Sequence, residues 1–299
     1  MKKLIALWQL MRPHTIIGTT ISGVSLFIIA NGNGTGTLLN WQVLALALLP
    51  AWLANIYIVA LNQITDIEID RVNKPYLPLP AKNLSLKTVR NITVLTGVGS
   101  VALSIPQGPF LAGVVIISLI LGTIYSVPPI RLRRFPFWAS FCIFSVRGVL
   151  INLGIYLHFS QKLGLRLRIP PDILALTFFI LLMSLIIAWF KDIPDISGDR
   201  QFNLHSLALS LGPKRVFQIG LWLAGAGYAS LILGAVFFLP ADHRMFFVVS
   251  HLLILGFLLF RSRNVIVTDR TSFFRFYLFI WKLFYLEYII FALAFLMRF

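Results

Sequence analysis

Six of the ten carboxylates in the chain fall in two short segments, and their spacing defines the chemistry open to them. The first segment reads Asn62-Gln63-Ile64-Thr65-Asp66-Ile67-Glu68-Ile69-Asp70-Arg71. Asn62, Asp66 and Asp70 recur every four residues, a spacing that stacks their oxygens on one face of a helix. Glu68 points elsewhere and is expected to pair with a neighbouring base. Like charges four apart on a helix repel, and acids near a helix C-terminus oppose the macrodipole, so something positive must face them. The candidates are Lys and Arg side chains or a divalent cation, and an all-oxygen donor set suits Mg²⁺ rather than zinc. The second segment reads Lys191-Asp192-Ile193-Pro194-Asp195-Ile196-Ser197-Gly198-Asp199-Arg200. Asp195 and Asp199 repeat the four-residue spacing, Asp192 lies three before, and Pro194 is expected to end or kink the preceding helix.

One acidic helix end is usually just a solvated one. Two such clusters, holding most of the acids in a chain with 26 Lys plus Arg, point instead to a shared ligand. Mg²⁺ held by one or two carboxylates completes its octahedron with water and substrate oxygens, so a diphosphate bridged between the clusters is the natural occupant. Arg71, Lys74, Arg131, Lys191 and Arg200 are its candidate direct ligands; each could equally serve topology or lipid headgroups.

The elements that position these residues are membrane helices. Of the 299 residues, 58% are apolar and 12% charged, and mean hydropathy is +0.87, which excludes an ordinary soluble enzyme. The formal charge of +16 does not mark a nucleic-acid binder, because the bases sit between long apolar runs. Cys142 is the one cysteine and lies within an apolar run, so no disulfide framework is expected. A bilayer core takes roughly 20 helical residues per crossing, and about nine such runs are predicted, over 13–31, 41–65, 88–106, 109–127, 136–159, 171–190, 213–239, 244–260 and 272–297. The first run shows no small-residue cleavage site, so no cleaved signal peptide is expected. Nineteen Lys and Arg fall on the N-terminal side of these crossings and five on the other. This asymmetry predicts a cytoplasmic N terminus, or its organellar equivalent, and puts both acid clusters on that side. Lys162, Arg166 and Arg168 run against the pattern and have no explanation in it. The expectation is an all-α integral membrane protein, a single domain over 1–299, with a central cavity open to the cytoplasmic side. Arg147 falls in mid-helix, where a charge is costly unless it faces the bundle interior, and is a functional candidate on that ground. Lys282, Glu287 and His251 are expected to be structural or uninformative.

The two segments resemble the signature of the UbiA-type intramembrane prenyltransferases, an NDxxDxxxD segment followed by a DxxxD segment. Gln63 departs from that pattern, which has Asp there, and the departure argues against a metal role at position 63. Wording such as Asn62-Gln63 with Asp66 and Asp70, Lys191-Asp192 through Arg200, Arg12 to Thr19, Tyr125 to Arg134 and Val146 to Gly154 is similar to the homogentisate prenyltransferase branch, nearest its phytyl-transferring members. The resemblance implies Asn62, Asp66, Asp70, Asp192, Asp195 and Asp199 as metal ligands, with Asp66, Asp70, Asp195 and Asp199 catalytic. It implies two Mg²⁺ ions clamping an isoprenoid diphosphate, whose departure leaves an allylic cation for the ring of homogentisate, with loss of CO₂, in tocopherol synthesis in a photosynthetic cell. Aromatic faces would steady that cation, and Trp52, Tyr57, Tyr125 and Trp189 lie near the relevant helix ends. Arg147 would hold the acceptor carboxylate, or pair with a carbonyl or an acid, and His14 a phenol or a packing role. Geranylgeranyl or solanesyl donors are alternatives. A transporter is a rival of another class, although transporters place polar groups near the midplane, whereas these acids gather toward one face.

Overall fold

The structure, a computed structural model, describes residues 2–32, 40–202 and 204–296. Arg298 and the last residue of the ninth predicted span lie outside them. All regular structure among the described residues is helical. In chain order the helices are α1 (Lys2–Leu10), α2 (Pro13–Gly32), α3 (Trp41–Thr65), α4 (Ile67–Asn73), α5 (Leu86–Ser104), α6 (Pro109–Ser126) and α7 (Pro136–Phe144). A π-helical stretch, Ser145–Ile155, then leads into α8 (Tyr156–Lys162). The remainder are α9 (Pro171–Phe190), α10 (Ile196–Gln201), α11 (Leu207–Leu211), α12 (Pro213–Phe238), α13 (Ala241–Arg263) and α14 (Arg270–Leu296).

Nine helical segments among the described residues are long and apolar enough to cross a bilayer, and each matches a predicted run to within a few residues. The Pro106-Gln107-Gly108-Pro109 turn divides the third and fourth as expected, with Gly108 at φ +108° at the corner. The fifth crossing differs from an ordinary helix. It runs Pro136–Lys162 through α7, the π-helical stretch and α8. Gly148 lets it press against α9 so closely that a Cβ there would meet the Leu181 backbone at 2.8 Å. Such wide turns recur at functional sites, and this one carries Arg147.

The packed interior follows α9 and α14, while large apolar side chains such as Trp222 and Phe238 project outward on α12, as a lipid-facing surface allows. On α14, Lys282 points out, whereas Glu287 is buried and bonded to Nε2 of His251 on α13 at 2.9 Å. His251, uninformative in the sequence, is thus half of a buried polar pair joining these two helices. Cys142 is buried and unpaired.

Candidate active site

The first acid segment is interrupted at Asp66. α3 ends at Thr65, α4 begins at Ile67, and Asp66 between them has φ −111° and ψ 14°. Its N–H still donates to the Asn62 carbonyl at 3.0 Å, and its own carbonyl accepts from Asp70 at 2.7 Å, so the four-residue stacking survives the break. The break turns the Thr65 carbonyl outward, where Arg131 donates to it at 3.3 Å. Asp66 itself is buried and fully engaged. Arg131 reaches Oδ1 at 2.8 Å, Arg133 pairs with Oδ2, and the Asn62 amide donates to Oδ2 at 2.7 Å. Arg131 and Arg133 come from the loop after α6, where Arg131 sits at φ +40° as the chain enters a short 3₁₀ turn, Leu132–Arg134.

The second segment leaves α9 at Phe190 and passes through turns to α10, as Pro194 led one to expect. Lys191 pairs with Asp192 at 2.5 Å. The two segments then meet directly. Asn73, buried at the end of α4, accepts from the Gly198 N–H at 2.9 Å, and a Cβ on Gly198 would fall 2.5 Å from the Asn73 amide. Only glycine lets α4 and α10 approach so closely. Lys74 ties the segments again, pairing with Asp195 and lying 4.0 Å from Asp70. Arg133 spans them from above, with its Nη2 at 3.8 Å from Asp199.

Burial sets the charge states. It raises the Asp70 carboxyl, against the pull of Lys74 and Arg12. Burial and then the charge of Asp192 push Asp199 up to about 6, against Arg133. Burial also pushes on Asp195, yet Lys74, Lys191 and Arg133 together outweigh it and hold this carboxyl below the ordinary range; Lys74 is raised in turn, its burial overcome by Asp195 and Asp70. Asp70 Oδ2, Asp195 Oδ1 and Asp199 Oδ1 are buried without a hydrogen-bond donor. Three orphaned carboxylate oxygens on two apposed segments fit a hard cation. Among the described residues no group of three or more acidic, His or Cys side chains is placed to hold a metal ion by itself.

A cavity of about 230 Å³ reaches the two segments at Asn62 and Lys191, with Arg12 and Tyr125 beside them at its polar end. Along α3 it runs from Asn62 to Ala47, roughly 22 Å at 1.5 Å per residue, between walls of α2, α6 and the fifth crossing. Phe159, edge-on to Phe27 at 5.2 Å, stands at the far end. On one flank lies Arg147, its guanidinium 4.4 Å from the centre of the Trp281 ring and without an acidic partner among the described contacts. His14 meets the same indole edge-on at 5.1 Å, and Tyr285 donates to the His14 carbonyl.

The structure therefore gathers Asn62, Asp66, Asp70, Lys74, Arg131, Lys191, Asp192, Asp195 and Asp199, and lines the adjoining cavity with His14, Tyr125 and Arg147. It does not bring in Arg71, which is exposed and paired with Glu68 at 2.6 Å, or Arg200, which is exposed. Trp52, Tyr57 and Trp189 tie helices together through hydrogen bonds to Thr20, Thr123 and Ser140. Sequence reasoning passed over Arg133, Asn73 and Gly198, and also Tyr277, Trp281, Phe284 and Tyr288, which line the cavity from α14. Those four ring positions recur at helical spacing, which was a visible signal. Arg133 offered only its place in a basic loop on the acidic side.

An all-helical membrane bundle with two apposed acidic helix ends at the mouth of an apolar cavity defines an enzyme class that handles a polar head on a lipid-soluble tail. The sequence profile described as the UbiA prenyltransferase family matches residues 17–283, and the chain belongs to that family. It is 43% identical to the homogentisate phytyltransferase of Synechocystis over 97% of this chain and 95% of that one. It is 36% identical to the chloroplastic homogentisate solanesyltransferase of Arabidopsis thaliana, over 96% of this chain and 75% of that protein. A solved UbiA homolog from Archaeoglobus fulgidus, bound to GPP and Mg²⁺, has the same fold with a TM-score of 0.64 at 16% identity, covering 96% of this chain and 99% of that one.

Proposed function

We propose that this protein transfers a phytyl group from phytyl diphosphate to the ring of homogentisate, releasing diphosphate and CO₂, as a step of tocopherol biosynthesis. The observation that carries this is the contact of the two acid segments through Asn73 and Gly198, together with the apolar cavity that Asn62 and Lys191 of those segments line at its polar end. Asp70, Asp195 and Asp199 through their open oxygens, and Asn62, Asp66 and Asp192 on exchanging their present basic partners for metal, would hold two Mg²⁺ ions, which supply charge neutralisation for the leaving diphosphate. Lys74, Arg131, Arg133 and Lys191 bind the phosphate oxygens and stabilise the charge that develops as the carbon–oxygen bond breaks. Arg71 and Arg200 stand outside that role.

The tail lies in the cavity. Its sixteen main-chain carbons extend roughly 19 Å, at a zigzag rise of about 1.25 Å for each C–C bond of about 1.5 Å, close to the length between Asn62 and Ala47. A solanesyl chain is more than twice as long and meets Phe159. Tyr125 and the α14 rings face the cationic carbon and keep water from it. Arg147 holds the acceptor carboxylate, a half-buried cation that lines the cavity with its guanidinium against the Trp281 ring. The new carbon–carbon bond displaces a ring proton, the carboxyl leaves as CO₂, and its electron pair takes up a proton to form a methyl group. The N terminus and the acid cluster lie on the cytoplasmic or stromal side of a photosynthetic membrane, which the asymmetry of Lys and Arg supports.

The test is a donor and acceptor matrix. Membranes containing the protein, radiolabelled homogentisate, Mg²⁺ and phytyl, geranylgeranyl or solanesyl diphosphate should yield a lipid-soluble quinol, most rapidly with the phytyl donor. Preference for the solanesyl donor contradicts the assignment of the tail, and solute accumulation without a covalent product favours transport.

A further inference from the structure

Gln63 stands where the family signature has an acid, yet its side chain turns away from the acid cluster. It is fully buried, and its Nε2 donates to the Leu10 carbonyl at 2.9 Å, at the C-terminal end of α1. That carbonyl is one of those a helix end leaves without an internal partner. A carboxylate at position 63 has no proton to give and would repel it. Two residues on, Arg12 adopts φ +50°, a conformation that L side chains keep only when their surroundings hold it. Its carbonyl is pinned from the other side by Thr15, through the N–H at 2.8 Å and the hydroxyl at 2.9 Å. In this conformation the Arg12 guanidinium donates to Asn62 Oδ1 at 3.4 Å and lines the polar end of the cavity with Lys191. The hold is local. α1 rests on a small apolar cluster of its own, including Ala60, Leu84 and Val89, separate from the main core, and its other face leaves Leu4, Ile5 and Trp8 exposed.

We infer that Gln63 is a positioning residue which clasps the end of α1 and thereby fixes Arg12 against the diphosphate end of the cavity. The inference rests on the prenyl-transfer reading for its consequence but not for the clasp itself. Full-length Gln63→Leu and Gln63→Met, alone and combined with Arg12→Ala, test it in two ways. Hydrogen exchange should rise over residues 2–12 in both Gln63 variants while α3 and α5 stay protected. The KM for the prenyl diphosphate should rise about five- to tenfold, the scale of one lost buried hydrogen bond, with kcat within about twofold and no further rise when Arg12→Ala is already present. Unchanged exchange over 2–12, a second multiplication of KM in the Arg12→Ala background, or a collapse of kcat at constant KM each overturns it. Because exchange needs no turnover, inactivity of the parent protein would count against the prenyl-transfer reading alone.

Discussion

Replacing Asp199 by Asn should make the protein more stable at neutral pH while removing its activity. Asp199 is nearly inaccessible, its Oδ1 lacks a donor, and Arg133 approaches only to 3.8 Å. Its carboxyl is raised from 3.8 to about 6, chiefly by burial and then by Asp192. The folded chain therefore binds this proton more tightly than the unfolded one. The resulting stability is complete below pH 3.8 and is lost as pH rises to about 6, so the ionised group is a net cost at pH 7. A shift of about two units corresponds to roughly 3 kcal/mol at 1.36 kcal/mol per unit, with the attraction of Arg133 already included, and is an upper figure because the Asn amide keeps a buried oxygen without a donor. An expected gain of about 1–3 kcal/mol should appear as a thermal midpoint several degrees higher in detergent at pH 7.5 without divalent ions, shrinking toward zero at pH 4. In the same preparation, binding of magnesium pyrophosphate and transfer should be lost. An Asn variant that is less stable at pH 7.5, or as active as the parent, would refute the claim that Asp199 is held ionised for a ligand.

Other perturbations follow from the same geometry. Binding of magnesium pyrophosphate to the parent protein should weaken as pH falls through about 6, when Asp199 takes up a proton, and titration calorimetry across pH 5–8 would show it. Arg133→Ala removes one of the two arginines paired with Asp66 and the one that approaches Asp199, and should lower kcat/KM by about 100-fold, since a charge-assisted bond to the leaving phosphate is worth about 1.5–3 kcal/mol; unchanged kinetics would place Arg133 outside the site. Gly198→Ala forces apart Asn73 and α10, and should cut activity at least tenfold with membrane insertion intact, as immunoblotting of washed membranes beside an activity assay would establish. Arg147→Met should raise the acceptor KM tenfold or more and leave the donor KM within about twofold, because a charge-assisted bond is worth about 1.5–3 kcal/mol; equal effects on both substrates would contradict its assignment to the acceptor.

The membrane helices were legible because each needs about 20 apolar residues, a condition that length and composition state outright. The acid pairs were legible for a related reason, since a charged group in so apolar a chain has few places to go. The contact between the segments was not. It depends on Gly198 having no side chain and on the Asn73 amide lying against it, a long-range fit between residues 125 apart. The four-residue spacing predicted one helical face through Asp70 but not the break at Asp66, beside which Arg131 donates to the Thr65 carbonyl across a separation of 66 residues. Arg71 and Arg133 show the same limit. One is drawn off by Glu68 three residues away, while the other reaches Asp66 only through the turn set by Arg131 at φ +40°.

Carboxyl-labelled homogentisate offers the most direct measurement. Purified protein supplied with this acceptor, phytyl diphosphate and Mg²⁺ should release labelled CO₂ and pyrophosphate one for one with the prenylated quinol, and EDTA should stop all three. Quinol that retains the label, or turnover that continues in EDTA with the acids of either segment replaced by Ala, would contradict a metal-bound diphosphate held between Asp66–Asp70 and Asp195–Asp199.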